Sequence, residues 1–201
     1  MTAPAWRGEP AHALWHFSED PTIARFVPRM TPTNPARGRW VWSVDSRHAP
    51  LFWFPRDCPR GTAWATAHTT LADRRRFFDQ PVVAGDGDAD VAPVPRIHVL
   101  EFDWLARVRE CRLHAYRMPE AQFAPDAHVR GYWLAAETVE PLDVLPVGDL
   151  LARHAAAGIE LRLVASIWPW WAAVIRSSLG FSGARLRNAG VRQPEWVMPT
   201  P

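Results

Sequence analysis

The chain has 201 residues, of which 48% are hydrophobic, and this is enough for one folded domain with a real core. Its formal charge of +2 is too small to argue for a nucleic-acid partner. All 23 basic residues are arginine, which excludes reactions that need a Schiff-base lysine or the lysine of a phosphate-binding loop. Twelve tryptophans predict wide aromatic packing or stacking surfaces.

The first informative stretch, residues 14–29, is LWHFSEDPTIARFVPR. Its apolar start predicts a short strand that ends in a turn at Ser18, Asp20 and Pro21. Because side chains alternate along a strand, His16 points away from Trp15 and faces a groove if the neighbouring rings enter the core. The alternative is a buried histidine bonded to a backbone carbonyl.

The second stretch, residues 41–60, is VWSVDSRHAPLFWFPRDCPR. It predicts a strand over 40–45 and a short helix over 48–54, followed by a loop that two prolines stiffen. Arg56 and Arg60 in that loop would supply bidentate donors to a phosphate or carboxylate. In the alternative interpretation they pair with Asp57 or another carboxylate and only hold the loop in place.

The middle of the chain predicts one helix, one loop and two strands. A helix within 61–79 would place Leu71, Phe77 and Phe78 on one face. The glycine, aspartate and proline of 80–95 predict a long mobile loop. Strands follow at 97–104 and 111–119, as antiparallel neighbours or with a small helical connection between them.

The last third predicts a change from strands to helices. Pro141 indicates an edge strand or a bulge. Helices at 147–158 and 168–178 flank a strand at 159–165, and 190–201 form a loose tail. Together the patterns predict a single α+β domain over 1–201, with a mainly antiparallel sheet and C-terminal helices.

Cysteine and histidine spacings limit the chemistry. Cys58 and Cys111 form neither a disulfide framework nor a CxxC zinc site, and no HxxH or HExxH spacing occurs, so we predict no metal site. The start of the chain lacks a signal-peptide pattern, and no apolar segment approaches the ~20 residues of a membrane span. We therefore expect a soluble cytoplasmic protein without a membrane partner.

The motifs HFSEDPxIxxFxPR, HAPLFWFPRDCPR, GYW and LGFSGxRLRNA resemble those of an uncharacterised bacterial protein family. A weaker resemblance is to the ADP-ribosyltransferase fold. There a first strand ends in a histidine or arginine (compare LWHFS), and aromatic residues that stack on nicotinamide follow (compare VWSVDSRHAPLFWF). A late strand brings a glutamate before a VxP segment (compare YWLAAETVEP).

The second resemblance implies NAD as the ligand and assigns roles to residues. His16 would hold the nicotinamide ribose, and Glu137 would be the catalytic carboxylate that favours the cationic sugar. The remaining binding residues would stack on the ligand, contact its pyrophosphate or line the groove: Arg25, Arg29, Trp42, His48, Phe52, Trp53, Arg56, Arg60 and Tyr132. No GxGxxG occurs, which argues against a dehydrogenase.

Two other classes stay open. Tryptophans and arginines also suit a non-catalytic module that binds a nucleotide or single-stranded nucleic acid. Cys58, near Arg56 and Arg60, would act as a nucleophile if its pKa were lowered, with His48 or His16 as base, whereas a buried cysteine would be inert. The acceptor substrate is not defined by the sequence.

Overall fold

The computed structural model describes residues 13–30, 35–78 and 95–191. The chain has two compact units, the first formed by 1–56 and 109–153 and the second by 57–108 and 154–201. The prediction of a single domain stays a prediction. Most of the predicted loop at 80–95 and of the predicted tail at 190–201 lies outside the described residues.

The described residues form eleven strands and four α-helices. The strands are β1 Leu14–Ser18, β2 Arg29–Met30, β3 Arg39–Asp45, β4 Arg60–Trp64, β5 Arg96–Glu101, β6 His114–Met118, β7 Ala124–Pro125, β8 Tyr132–Ala135, β9 Asp143–Pro146, β10 Glu160–Val164 and β11 Gly180–Ala184. The helices are α1 Leu71–Phe77, α2 Leu105–Glu110, α3 Leu150–Ala156 and α4 Trp168–Val174. Short 3-10 turns occupy Pro35–Arg37, Ala49–Phe52, Phe102–Trp104, Glu120–Gln122 and Leu186–Asn188.

The first unit is built on an antiparallel sheet with the order β7-β8-β3-β1-β6-β9, and β2 pairs with β3. Leu14 lies opposite Asp45 on β3 and opposite Met118 on β6, while His16 lies opposite Tyr116. Alternation therefore places Leu14, His16 and Tyr116 on one face of the sheet. Buried residues cover that face, and they are Leu14, Phe26, Val41, Tyr116, Met118, Phe123, Ala135 and Val139.

The hydrophobic core of the first unit lies on the other face of β1 from the one expected. His16 alternates with Trp15 as predicted, but the main apolar cluster of the unit lies on the face that His16 shares with Leu14, not on the face of Trp15. Trp15 is buried as well, and its indole donates to Ser46 Oγ at 2.8 Å. The sheet is covered on both sides there, so His16 lies at the rim of a core.

The second unit contains the sheet β10-β5-β4-β11, in which β10 and β5 run parallel and the other pairs are antiparallel. All six residues of β5 are buried, because both faces of this central strand are covered. Trp170 of α4 packs so closely on β4 that a Cβ at Gly61 would lie 2.2 Å from its ring. The sequence-based prediction of wide aromatic packing matches this arrangement.

One local expectation is wrong: α1 leaves Leu71 exposed, because only the end of this short helix packs on the core. Residues 60–64 form β4, a strand that was not predicted. Of the two arrangements expected for the strands at 97–104 and 111–119, the structure has the helical connection, α2, and β5 and β6 belong to different sheets. The overall class is confirmed: the fold is α+β with mostly antiparallel sheets.

A buried carboxylate fixes the end of β5 in the second unit. Glu101 accepts the backbone N–H of Ile167, just before α4, at 3.1 Å and that of Gly190 at 2.7 Å. In Glu101→Gln the amide group would face one of these donors, so we expect a loss of about 2 kcal/mol in unfolding free energy. Urea unfolding measures it, with Asp103→Asn, at an exposed carboxylate of the same unit, as the control. Equal stability of the two variants would contradict this role.

Candidate functional site

His16 is held by its neighbouring strand rather than buried in isolation. Its Nδ1 lies 2.8 Å from the carbonyl oxygen of Trp42. A carbonyl only accepts hydrogen bonds, so Nδ1 carries the proton and the lone pair of the neutral ring is on Nε2. Within the described ranges Nε2 has no hydrogen-bond partner, and this atom is not buried. The half-buried imidazole therefore offers an acceptor to the surface.

Charge and burial keep this imidazole neutral. Burial lowers the pKa of His16 most, the bond to the Trp42 carbonyl opposes that shift, and the guanidinium groups of Arg56 and Arg29 lower the pKa further. Both arginine side chains are exposed. His16, Arg29 and Arg56, which were all predicted from the sequence, therefore interact electrostatically. The arrangement combines one neutral acceptor with two cationic donors.

Hydrogen bonds tie the two motif stretches together beside His16. The backbone N–H of Arg56 donates to Glu19 Oε1 at 2.9 Å, which fixes the proline-bracketed loop against the end of β1. Asp20 Oδ1 accepts the backbone N–H of Thr22 at 2.8 Å, forming a tight turn. The Tyr116 hydroxyl donates to the Asp20 carbonyl at 2.6 Å. These contacts position the backbone around the imidazole.

The predicted stacking residues form a second group in the first unit. Trp42 and Tyr132 pack edge to face with centroids 5.9 Å apart, and Phe52 contacts Tyr132 at 5.8 Å. The register places Trp42 and Tyr132 on the face opposite His16, since Tyr132 pairs with Val44 and Val44 with Trp15. The predicted groove requires His16, Trp42 and Tyr132 to line the same face. They lie on opposite faces, so this part of the prediction is wrong. Trp53 is fully buried, with the Arg153 guanidinium 5.7 Å from its ring.

His48 is oriented by an acidic neighbour. Its Nδ1 lies 2.7 Å from Asp45 Oδ1, which also accepts the His48 backbone N–H at 2.9 Å. The ring lies against Gly131, whose φ of +86° suits glycine and whose missing side chain leaves the space that the imidazole fills. Asp45 and Gly131 are therefore partners of His48 that the sequence alone did not reveal.

The remaining predicted residues lie elsewhere. Arg25 is exposed and lines an open depression of about 580 Å³ with Pro119, Gln122, Thr138 and Glu140. Arg60 belongs to the second unit, where it is buried and donates to the Cys58 carbonyl at 3.0 Å, so it is not a loop arginine. Glu137 is exposed in the bend after β8 and makes no hydrogen bond or ion pair with described residues. Cys58 and Cys111 are buried and form no disulfide bond.

One link connects the segment of Glu137 to His16. Phe26 and Val139 exchange backbone hydrogen bonds of 2.8 and 2.9 Å, and the Phe26 ring lies 4.6 Å from the His16 ring. Glu19 and Phe26 therefore shape the surroundings of His16, although the sequence analysis gave neither a role. In the sequence, the only feature that pointed to Glu19 and Phe26 was their position inside the HFSEDPTIARF motif.

Residues 13–30, 35–78 and 95–191 contain neither a metal-binding cluster nor a membrane-spanning helix. No group of three or more histidine, cysteine, aspartate or glutamate side chains is arranged to hold a metal ion there. In the same ranges, every helix is too short or too polar to cross a membrane.

The chain belongs to a protein family of unknown function, DUF6886, whose sequence profile matches residues 15–189. The expected membership in an uncharacterised family is thereby confirmed. No curated protein and no solved structure is significantly similar to the chain. The family description therefore brings no activity, and a function has to be argued from the residues themselves.

Proposed function

We propose that the first unit binds a phosphate-bearing nucleotide, with NAD as the first candidate. The proposal is supported by the neutral His16, which keeps an acceptor on Nε2, and by the exposed Arg29 and Arg56, whose charges act on that ring. A sugar phosphate presents hydroxyl donors beside anionic oxygens, which is the complement of this arrangement. Guanidinium groups bind phosphate through directed, charge-assisted hydrogen bonds.

Binding is tested by calorimetric titration of the full chain with NAD, ADP-ribose and AMP. Arg29→Ala/Arg56→Ala is expected to weaken binding by at least about a hundredfold, because each charge-assisted hydrogen bond contributes roughly 1.5–3 kcal/mol. His16→Asn keeps a donor for the Trp42 carbonyl but has no acceptor at the position of Nε2, and should also weaken binding. Arg25→Ala, an exposed arginine of the same segment that lines a different depression, is the matched control.

Two results would contradict this proposal. One is the absence of binding by the unsubstituted chain to any of the three ligands. The other is binding that the Arg29/Arg56 double variant retains at full strength, since the phosphate would then be held elsewhere.

A finer proposal is an ADP-ribosyltransferase-like reaction at the same site. It is supported by the Phe26 bridge to Val139, which joins the segment carrying Glu137 to the residue packed on His16. In such a reaction the bond between ribose and nicotinamide breaks, nicotinamide leaves with the electron pair, and an acceptor nucleophile binds the ribose. Nicotinamide release from NAD that is lost in His16→Asn and Glu137→Gln would support a transferase. Binding without release would instead identify the non-catalytic module.

A further inference from the structure

His114 lies beside His16 on the same face of the first unit's sheet. It is the first residue of β6 and pairs with Ser18, while Tyr116, two residues on, pairs with His16. Diagonal neighbours of this kind in an antiparallel pair lie roughly 7 Å apart, within reach of one ligand group. His114 is therefore placed next to the nucleotide site proposed above.

The two ring nitrogens of His114 have different surroundings. Nδ1 is buried and has no hydrogen-bond partner among the described residues. Nε2 is not buried, and within those residues it also lacks a partner. A buried polar atom without a partner is unfavourable, so a position with a purely structural role would be better filled by an apolar ring. The packing of the fold therefore does not explain why a histidine occupies position 114.

We assign the hydrogen of the neutral His114 ring to Nε2, because a buried N–H without an acceptor is rarer in proteins than a buried acceptor without a donor. His114 then presents a donor where His16 presents an acceptor. Hydrogen bonds from the Thr22 side chain and backbone lower the pKa of Asp20, and the protonated form of His114 would lower it further, so the ring lies near the turn after β1.

We infer that His114 is a second ligand-contacting residue of the His16 site, where its Nε2–H donates to an anionic oxygen of the bound nucleotide. The inference rests on the proposed function and deepens it. The two histidines would recognise a phosphate oxygen and a neighbouring hydroxyl together, which selects sugar phosphates over inorganic anions.

The test compares His114→Phe with the unsubstituted chain, with ADP-ribose as the titrated ligand. Phenylalanine keeps a planar ring but removes both nitrogens, so affinity is expected to fall about tenfold to a hundredfold. The thermal unfolding midpoint should stay the same or rise, because the unpaired buried nitrogen is gone. His128→Phe, at an exposed histidine of the same unit, should leave affinity unchanged. Inorganic phosphate should bind the unsubstituted chain more weakly than ADP-ribose.

The outcomes separate this inference from the proposal it rests on. Unchanged affinity in His114→Phe, together with weakened binding in Arg29→Ala/Arg56→Ala, would overturn the role of His114 alone. A fall in both the unfolding midpoint and the affinity would also overturn it, since that is the result of a structural role. No binding of ADP-ribose by the unsubstituted chain would overturn the proposed function and this inference with it.

Discussion

Acidification below about pH 6.5 is expected to lower the unfolding free energy through one residue of the second unit, His98. This side chain is completely buried, and its Nδ1 lies 3.0 Å from His154 Nε2. Burial lowers its pKa well below the usual value, and the charges of His154, Arg96 and Arg60 act in the same direction. No carboxylate is among these charged neighbours.

The direction of the effect follows from where the proton binds. In the folded chain the pKa of His98 is depressed, so the ring stays neutral as the pH falls. In the unfolded chain it takes up a proton below about pH 6.5, at its ordinary pKa. The unfolded state therefore gains about 1.4 kcal/mol per pH unit relative to the folded state. The contribution of His98 is complete above pH 6.5 and decreases below it.

Urea unfolding at several pH values between 4.5 and 7.5 measures this dependence. In His98→Gln the unfolding free energy should depend less steeply on pH, because the variant lacks the proton that unfolded His98 takes up. This holds whatever the effect of the substitution on stability at neutral pH. His68→Gln, at an exposed histidine of the same unit, should leave the slope unchanged. Asp73 does not interfere, because bonds from Ser178 lower its pKa and it titrates in more acidic solution. An identical slope in His98→Gln would contradict the prediction.

The sequence predicted the strands best where burial on one or both faces enforces a pattern. The stretches around His16 and Val44, and the apolar run of β5, became strands because alternation or continuous burial leaves little choice. Residues 60–64 were missed, since RGTAW has a glycine and small side chains that suggest no strand. The glycine is there because Trp170, more than a hundred residues away, packs on it.

The candidate site was predicted only in part, for the same reason. The alternating pattern placed His16 in a strand, although at its end rather than at its centre, and the resemblance to the ADP-ribosyltransferase fold assigned Arg29 and Arg56 to the same site. Which face of the sheet carries the core depends on the register with β6 and β3, which no local pattern encodes. Trp42 was therefore assigned to the face of His16, although only its backbone carbonyl reaches the imidazole.

Gly131→Ala is expected to be among the most damaging single substitutions in the first unit. A Cβ at this position would lie 2.1 Å from Nδ1 of His48, the atom that contacts Asp45. The φ of +86° adds backbone strain for any residue with a side chain. Strain together with the loss of the contact between His48 and Asp45 should reduce the unfolding free energy by about 3 kcal/mol.

Gly148→Ala separates the two causes. Its φ of +82° is nearly the same, but nothing lies within 4 Å of the added Cβ, so only the strain of about 1 kcal/mol applies. Adding His48→Ala to Gly131→Ala should restore part of the loss, because the obstructing ring is then absent. Chemical unfolding of the unsubstituted chain, Gly131→Ala, His48→Ala and the double variant forms a double-mutant cycle for positions 48 and 131. Equal losses in Gly131→Ala and Gly148→Ala, with no coupling to position 48, would show that strain alone accounts for the glycine at 131.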